Sequence, residues 1–271
     1  MPLGLDLSPS YAKVARARVH LESLKEEISR VLSERHTFSI RQTVDLQTGW
    51  CSLYLMNEDF TKELNLGIIV GDLVHNLRSA LDYIITALAY ASGTEVSKSH
   101  QFPIFTDESA YVHAVGASTV VNLKGYLKDI VHGLQEIWDL QPFHEKVNPR
   151  LVNLSLVHEF SNADKHRIIA SYAPLFVGGK VEITHSGRTI SDIERVAKFD
   201  SWEPDKEFHF ARVRFATPVP TDIVCEADFT VSVHFITPAI GKSVGDTGID
   251  LADLEAMCAR VVEVTDIFKS L

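Results

Sequence analysis

The order of patterns along the chain predicts an α+β protein: an N-terminal helical bundle, then an antiparallel β-sheet, then one C-terminal helix. Three observations carry this. Apolar residues recur at helical spacing over residues 9–36, 58–91 and 150–165. From residue 168 to residue 237 the pattern turns to alternating β-branched and aromatic residues, and over 250–269 helical spacing returns. Helices followed by strands, with no regular strand–helix alternation, argue for α+β rather than a parallel α/β sheet. The switch near residue 167 divides a mainly helical part, 1–166, from the sheet and last helix, 167–271, within one compact unit.

Each element has its own reason. In the first helix Ser8 or Ser10 is placed to cap, and Tyr11, Val14, Leu21, Leu24 and Ile28 mark its apolar side. Residues 38–56 break that period. Phe38, Ile40, Val44, Leu46, Trp50 and Leu53 mostly alternate around Gly49, which predicts a short hairpin. Residues 58–91 form a second long helix, with Gly93 placed to stop it. His100–Thr106 is extended and fixed by Pro103, residues 107–140 give one or two helices, and 150–165 another. Ile168–Val177, Lys180–Thr184, Phe208–Ala216 and Ile223–Thr237 read as strands, with Gly178–Gly179 as a hairpin turn between the first two. In the last helix Leu254, Val261 and Phe268 share the side expected to pack on the rest of the domain.

Composition narrows the function classes. With 271 residues, 45% of them apolar and 23% charged, the chain can bury a large core, and wholesale disorder is excluded. No apolar run is long enough to span a bilayer, so no membrane partner is expected. The net charge is −10, distributed as +2 over residues 1–41, −5 over 42–181 and −7 over 182–271. Phosphates are repelled by such a C-terminal third, so any nucleic-acid contact has to be local. Cys51, Cys225 and Cys258 form no CxxC pair, and the N-terminus lacks a charged and then apolar leader. Both point to a reducing compartment, the cytoplasm.

The informative segment is Gly71–Thr86, GDLVHNLRSALDYIIT. At about 100° per residue, Asp72, His75, Asn76, Ser79, Asp82, Tyr83 and Thr86 fall on one stripe, with Arg78 at its edge. Leu73, Leu77, Leu81 and Ile84 lie opposite. Arg78 and Asp82 are four apart and can pair. A plain solvated face favours Lys and Glu; this stripe has neither, and its short, directional groups suit fixed hydrogen bonds. The second segment is His158–Arg167, HEFSNADKHR, where His158 and Asn162 share a helix face and Lys165 and His166 follow. The two segments are expected to face each other, because each holds polar groups in need of partners. Ligand spacings typical of zinc, a GxSxG elbow and a glycine-rich phosphate loop are all missing, so no metal and no cofactor is expected.

The succession Gly71–Asp82, then Phe102–Pro103–Ile104, then Asp164–Lys165–His166–Arg167 resembles a family of uncharacterised bacterial and phage proteins that share this order of motifs. The chain also bears a fainter resemblance to HEPN domains. Those are helical bundles, often dimeric, and many are metal-independent endoribonucleases of toxin–antitoxin and defence systems. Their motif places a polar residue after Arg and a His four to six residues on. Arg78–Ser79 fits its start, while Tyr83 stands where the motif carries His; Arg30 and His36 have the spacing without the polar neighbour. The resemblance implies a homodimer that cleaves RNA. Arg78 would be the cation for the phosphorane, His75 or His166 the base or acid, and Asp82 the orienting group. Asn76, Ser79, Tyr83, Lys165 and His158 would bind substrate. Two readings compete with this one: a non-enzymatic bundle whose polar seam directs dimerisation or partner binding, and a small-ligand pocket built from the same polar residues.

Overall fold

The computed structural model describes residues 3–33, 38–57, 66–115, 125–148, 152–165, 171–184, 190–195, 208–215, 224–236 and 248–271. Helix α1 spans Ser8–Ser33, strands β1 and β2 span Phe38–Val44 and Trp50–Asn57, and α2 spans Leu66–Ala91. Then come α3 (Glu108–Val115), α4 (Leu134–Asp139) and α5 (Val152–Lys165). Strands β3 (Ser171–Thr184), β4 (Ile190–Arg195), β5 (Phe208–Phe215) and β6 (Val224–Ile236) precede the last helix, α6 (Leu251–Lys269). The fold is α+β, as the element order predicts. The expected division near residue 167 and the N-terminal end of the second predicted helix, 58–65, lie outside the described residues.

The chain forms two compact units, each drawn from separated stretches of sequence. The first comprises Met1–Lys25, Leu66–Ser171 and Ile236–Leu271. Its centre is α2, whose Val70, Leu73, Leu77, Leu81 and Ile84 are fully buried, and which packs against α5 and α6. Burying a side chain of this kind contributes roughly 1.5–3 kcal/mol, so α2 alone supplies much of the hydrophobic stabilisation of the unit. Helix α6 starts with a capping box in which Asp250 and Asp253 each accept the other's backbone N–H at 3.0 Å. Its Leu254, Val261 and Phe268 are completely buried, as their spacing predicts. A buried hydroxyl pair, Ser10 and Thr265 at 3.0 Å, joins α1 to α6, and Lys25 reaches Glu255 at 2.7 Å. Gly133 adopts φ +68°, and a Cβ there would stand 2.9 Å from the Phe268 ring. Only glycine satisfies that conformation and that space together.

The second unit comprises Glu26–Asn65 and Tyr172–Phe235. Its larger sheet has the order β1-β2-β5-β4, and each of those neighbouring pairs is antiparallel. The expected 38–56 hairpin therefore forms and supplies two of the sheet's four strands, so the sheet is not confined to residues after 167 as expected. The physical reason is pairing: β2 has one edge open beyond β1, and β5 fills it from Trp50↔Arg214 to Leu55↔Phe208, with a shift of register between Leu53 and Tyr54. Cys51, Leu53, Val213 and Phe215 are buried on one face. On the other, Arg212 lies 4.4 Å from the Trp50 ring centre and Arg41 lies 4.8 Å from that of Tyr54. Strands β3 and β6 pair separately. Gly178–Gly179 is not a turn: β3 runs through it without a break. A tight hairpin needs positive φ at one or both turn residues, and here the pairing with the long strand β6 keeps the segment extended.

Candidate functional site

The polar stripe of α2 divides once its helix is packed. Asp72 and His75 are exposed and Tyr83 is 39% exposed, whereas Asn76 and Arg78 are buried. Ser79 and Asp82 are half-buried. Asn76 turns back on its own helix, donating from Nδ2 to the Asp72 carbonyl at 2.7 Å, and Lys13 of α1 approaches its Oδ1 at 3.5 Å. That is a packing role.

Arg78 and Asp82 do more than pair. Their Nη2–Oδ1 distance is 3.0 Å. The same Nη2 donates to the carbonyl oxygen of Phe102 at 2.6 Å, and Asp82 Oδ1 accepts the Phe102 N–H at 2.9 Å. The pair therefore grips both backbone groups of one residue, and a side chain on α2 sets the path of the extended 100–106 segment. This explains in physical terms why an Arg-x-x-x-Asp helix and a Phe-Pro-Ile segment occur in one chain. The segment is held on its other side too. Gln141, fully buried, donates to the Pro103 carbonyl at 3.0 Å and accepts the Phe105 N–H at 3.1 Å. His100 accepts the Ser97 N–H at Nδ1 (3.0 Å), which places its proton on Nε2, and this group donates to the Lys128 carbonyl at 2.8 Å.

Between α2, this clamped segment, α3 and α5 lies a cleft of about 390 Å³, a size at the small end of ligand pockets. Arg78 and Phe102 contribute to it, as do Gln101, Ile104, Phe105, Thr106, Asp107, Ala110 and Tyr126. Ser155, His158, Glu159 and Asn162 complete it from one face of α5. Asn162 donates from Nδ2 to His158 Nε2 at 2.9 Å, which leaves the ring proton on Nδ1. Asp107 caps α3. Its carboxylate is held below the usual range by the Ser109 hydroxyl at 2.5 Å and then by the Ala110 N–H at 2.8 Å, so it is ionised at neutral pH. Helices α2 and α5 come close because Gly71 has no side chain: a Cβ there would sit 2.7 Å from Asp164 Oδ1.

The structure thus brings together Arg78 and His158, with Asp82 directly behind Arg78. The predicted meeting of the two polar segments holds for the part of His158–Arg167 that is described. His75, Asn76, Ser79 and Tyr83 do not line the cleft. His166 and the side chain of Lys165 lie outside the described residues. Gln141, His100, Phe105 and Tyr126 went unrecognised as site residues: Gln141 and Tyr126 are isolated in sequence, with a Gln directly before Pro142 as the one signal, and His100 and Phe105 lie in the extended 100–106 segment, whose partners only the fold reveals. Among the described residues no three His, Cys, Asp or Glu side chains gather to hold a metal ion. Nor is any described helix long and apolar enough to cross a membrane.

The decisive feature is Arg78 itself. It is 4% exposed, and its Nε and Nη1 have no hydrogen-bond partner among the described residues. A buried donor left unmet costs about 1–3 kcal/mol. Arg78 lines the cleft, and its unpartnered Nε and Nη1 are themselves buried. No family model matches the chain, and no curated protein or solved structure matches it significantly.

Proposed function

We propose that this chain is a binding protein whose helical unit holds a small molecule in the cleft at Arg78, through an oxygen acceptor on the ligand. The observation that carries this reading is the unmet Nε and Nη1 of Arg78, buried at the wall of a ligand-sized cleft. The Asp82–Phe102 clamp fixes the guanidinium in advance, so a ligand meets a donor that needs no ordering. RNA cleavage at the same Arg needs two proton-transfer groups beside it. His158 lines the cleft, but His75 is exposed and does not line it. Binding therefore has the better support.

The test is a thermal-shift screen of the full chain against carbonyl-, carboxylate- and phosphate-bearing small molecules. A true ligand at about a hundred times its Kd should stabilise the protein by about 2.7 kcal/mol. Ala110→Trp places bulk at an exposed rim position of the cleft and should abolish the shift while leaving the unliganded melting temperature unchanged. No stabilising compound, or equal stabilisation of Ala110→Trp, would refute the reading.

A further inference from the structure

The outer side of α2 is a surface apart from the cleft. Once the helix is packed, Ile68, Asp72, His75, Tyr83 and Tyr90 stay exposed, and Ser79 and Thr86 are half-buried. At about 100° per residue these seven lie within about 40° of Ser79 on either side, a straight stripe along nearly the whole helix. None of them lines the cleft. Ile68 is 50% exposed, Tyr83 39% and Tyr90 69%. Among the described residues, Thr86 alone of the seven uses its side chain in a hydrogen bond, donating to the Asp82 carbonyl at 3.1 Å. A helix face left to water is filled with Lys and Glu, whereas this one carries an exposed Ile and two Tyr, and Tyr is enriched where proteins meet.

The spacing says which partner fits. The stripe positions lie 11, 7 and 4 residues before Ser79 and 4, 7 and 11 residues after it. A two-fold rotation through Ser79 therefore lays the pattern on itself, which is the condition for an isologous contact between identical chains. In an antiparallel pair about that axis, Ile68 of each copy faces Tyr90 of the other, and His75 faces Tyr83. Ser79, the smallest side chain of the seven, stands where the two helices approach most closely.

Charge agrees with this direction and opposes the other. Asp72 is the only carboxylate in the stripe. Antiparallel copies bring it beside the Tyr83 hydroxyl of the other copy, which can donate to it. Parallel copies set Asp72 against Asp72, two like charges, and align the helix dipoles head to head.

We propose that α2 is a homodimerisation helix: two copies of the chain pack their 68–90 stripes antiparallel about a two-fold axis at Ser79. The proposal is independent of the pocket reading, because the stripe and the cleft share no residue.

Sedimentation equilibrium of the full chain at about 100 µM should give twice the chain mass. Cysteine pairs read the direction. Four residues rise about 6 Å along a helix, so equal positions four residues from the axis stand about 12 Å apart in an antiparallel pair, beyond the roughly 7 Å reach of a disulfide. Under mild oxidation Ser79→Cys should cross-link to itself. His75→Cys and Tyr83→Cys should each stay single when alone and cross-link to one another when co-expressed. The unchanged chain, whose Cys51 and Cys258 are buried, is the control. Tyr83→Glu sets a carboxylate beside Asp72 of the other copy and should weaken association at least about tenfold, with an unchanged circular dichroism spectrum.

A chain that sediments as a monomer overturns the proposal. So does a dimer in which His75→Cys cross-links to itself, or one in which neither Ser79→Cys nor the co-expressed pair cross-links, or association unmoved by Tyr83→Glu. Ser79→Cys changes one atom, and His75 and Tyr83 are exposed, so the cysteine variants decide the matter even where Tyr83→Glu does not fold.

Discussion

Replacing Asp82 with Ala isolates what the helix pair contributes. An Arg–Asp pair four apart on an exposed helix is worth about 0.3–0.5 kcal/mol. This pair is different, because the Arg78 side chain is 5% exposed and that of Asp82 30%. Removing Asp82 leaves a guanidinium buried without its counter-charge, a change that costs about 3–5 kcal/mol when both partners are inside. Partial exposure of Asp82 reduces that figure. The Phe102 N–H also loses a charged acceptor at 2.9 Å, a bond worth about 1.5–3 kcal/mol. The two contributions overlap, and the net expectation is about 3 kcal/mol. Urea denaturation followed by circular dichroism should show it as a lower midpoint at unchanged slope. Hydrogen exchange should show the Phe102 amide losing its protection. The double variant Arg78→Met/Asp82→Leu should recover most of the loss, since apolar replacement of both members of a buried pair is often close to neutral. A loss below about 0.5 kcal/mol, in the range of an ordinary surface substitution, would refute the clamp. So would a double variant no more stable than Asp82→Ala.

Leu254→Ala should cost about 2–5 kcal/mol, because Leu254 is completely buried on α6; thermal or chemical denaturation measures it. Gly133→Ala should lower the melting temperature, since φ is +68° and the new methyl would stand 2.9 Å from the Phe268 ring; an unchanged value would refute the close approach. Burial pushes the Tyr111 phenol up to about 12, and burial together with the Asp266 carboxylate does the same for Tyr11. Both phenols are raised above their unfolded value near 10. Their contribution to stability is therefore complete below pH 10 and lost as pH rises towards 12, which denaturation midpoints across that window should show. Burial likewise raises the Cys258 thiol to about 11, so the folded protein at neutral pH should leave Cys258 unalkylated by iodoacetamide in a peptide map.

The helical unit was largely legible in the sequence because burial there follows one period. Leu73, Leu77, Leu81 and Ile84 on α2 and Leu254, Val261 and Phe268 on α6 are spaced as they are buried. Strand pairing was less legible. Nothing local tells β2 that its second neighbour is β5, more than 150 residues on, and β4, rich in charge as ISDIER, shows no alternation to recognise. Gly178–Gly179 misled because glycine permits both a turn and an extended strand, and the choice rests with β6. The candidate site divides in the same way. The four-residue spacing of Arg78 and Asp82 predicts their pair, and the need for polar partners predicts the approach of His158. A helical wheel places His75 and Arg78 near one another, yet it cannot show that the 100–106 segment covers Arg78 and leaves His75 exposed. Gln141 and Tyr126 enter through tertiary contact alone.

The side-chain Nε–H resonance of Arg78 reports most directly on the central claim, that this guanidinium is the cleft's unmet donor. It can be assigned in a nitrogen–proton correlation spectrum by its disappearance in Arg78→Lys. During titration with any compound that raises the melting temperature, the resonance should move downfield and its exchange with water should slow as an acceptor arrives. A ligand that saturates the protein while the Arg78 Nε–H stays unmoved, or one that binds Arg78→Lys as tightly as the natural sequence, would contradict the account.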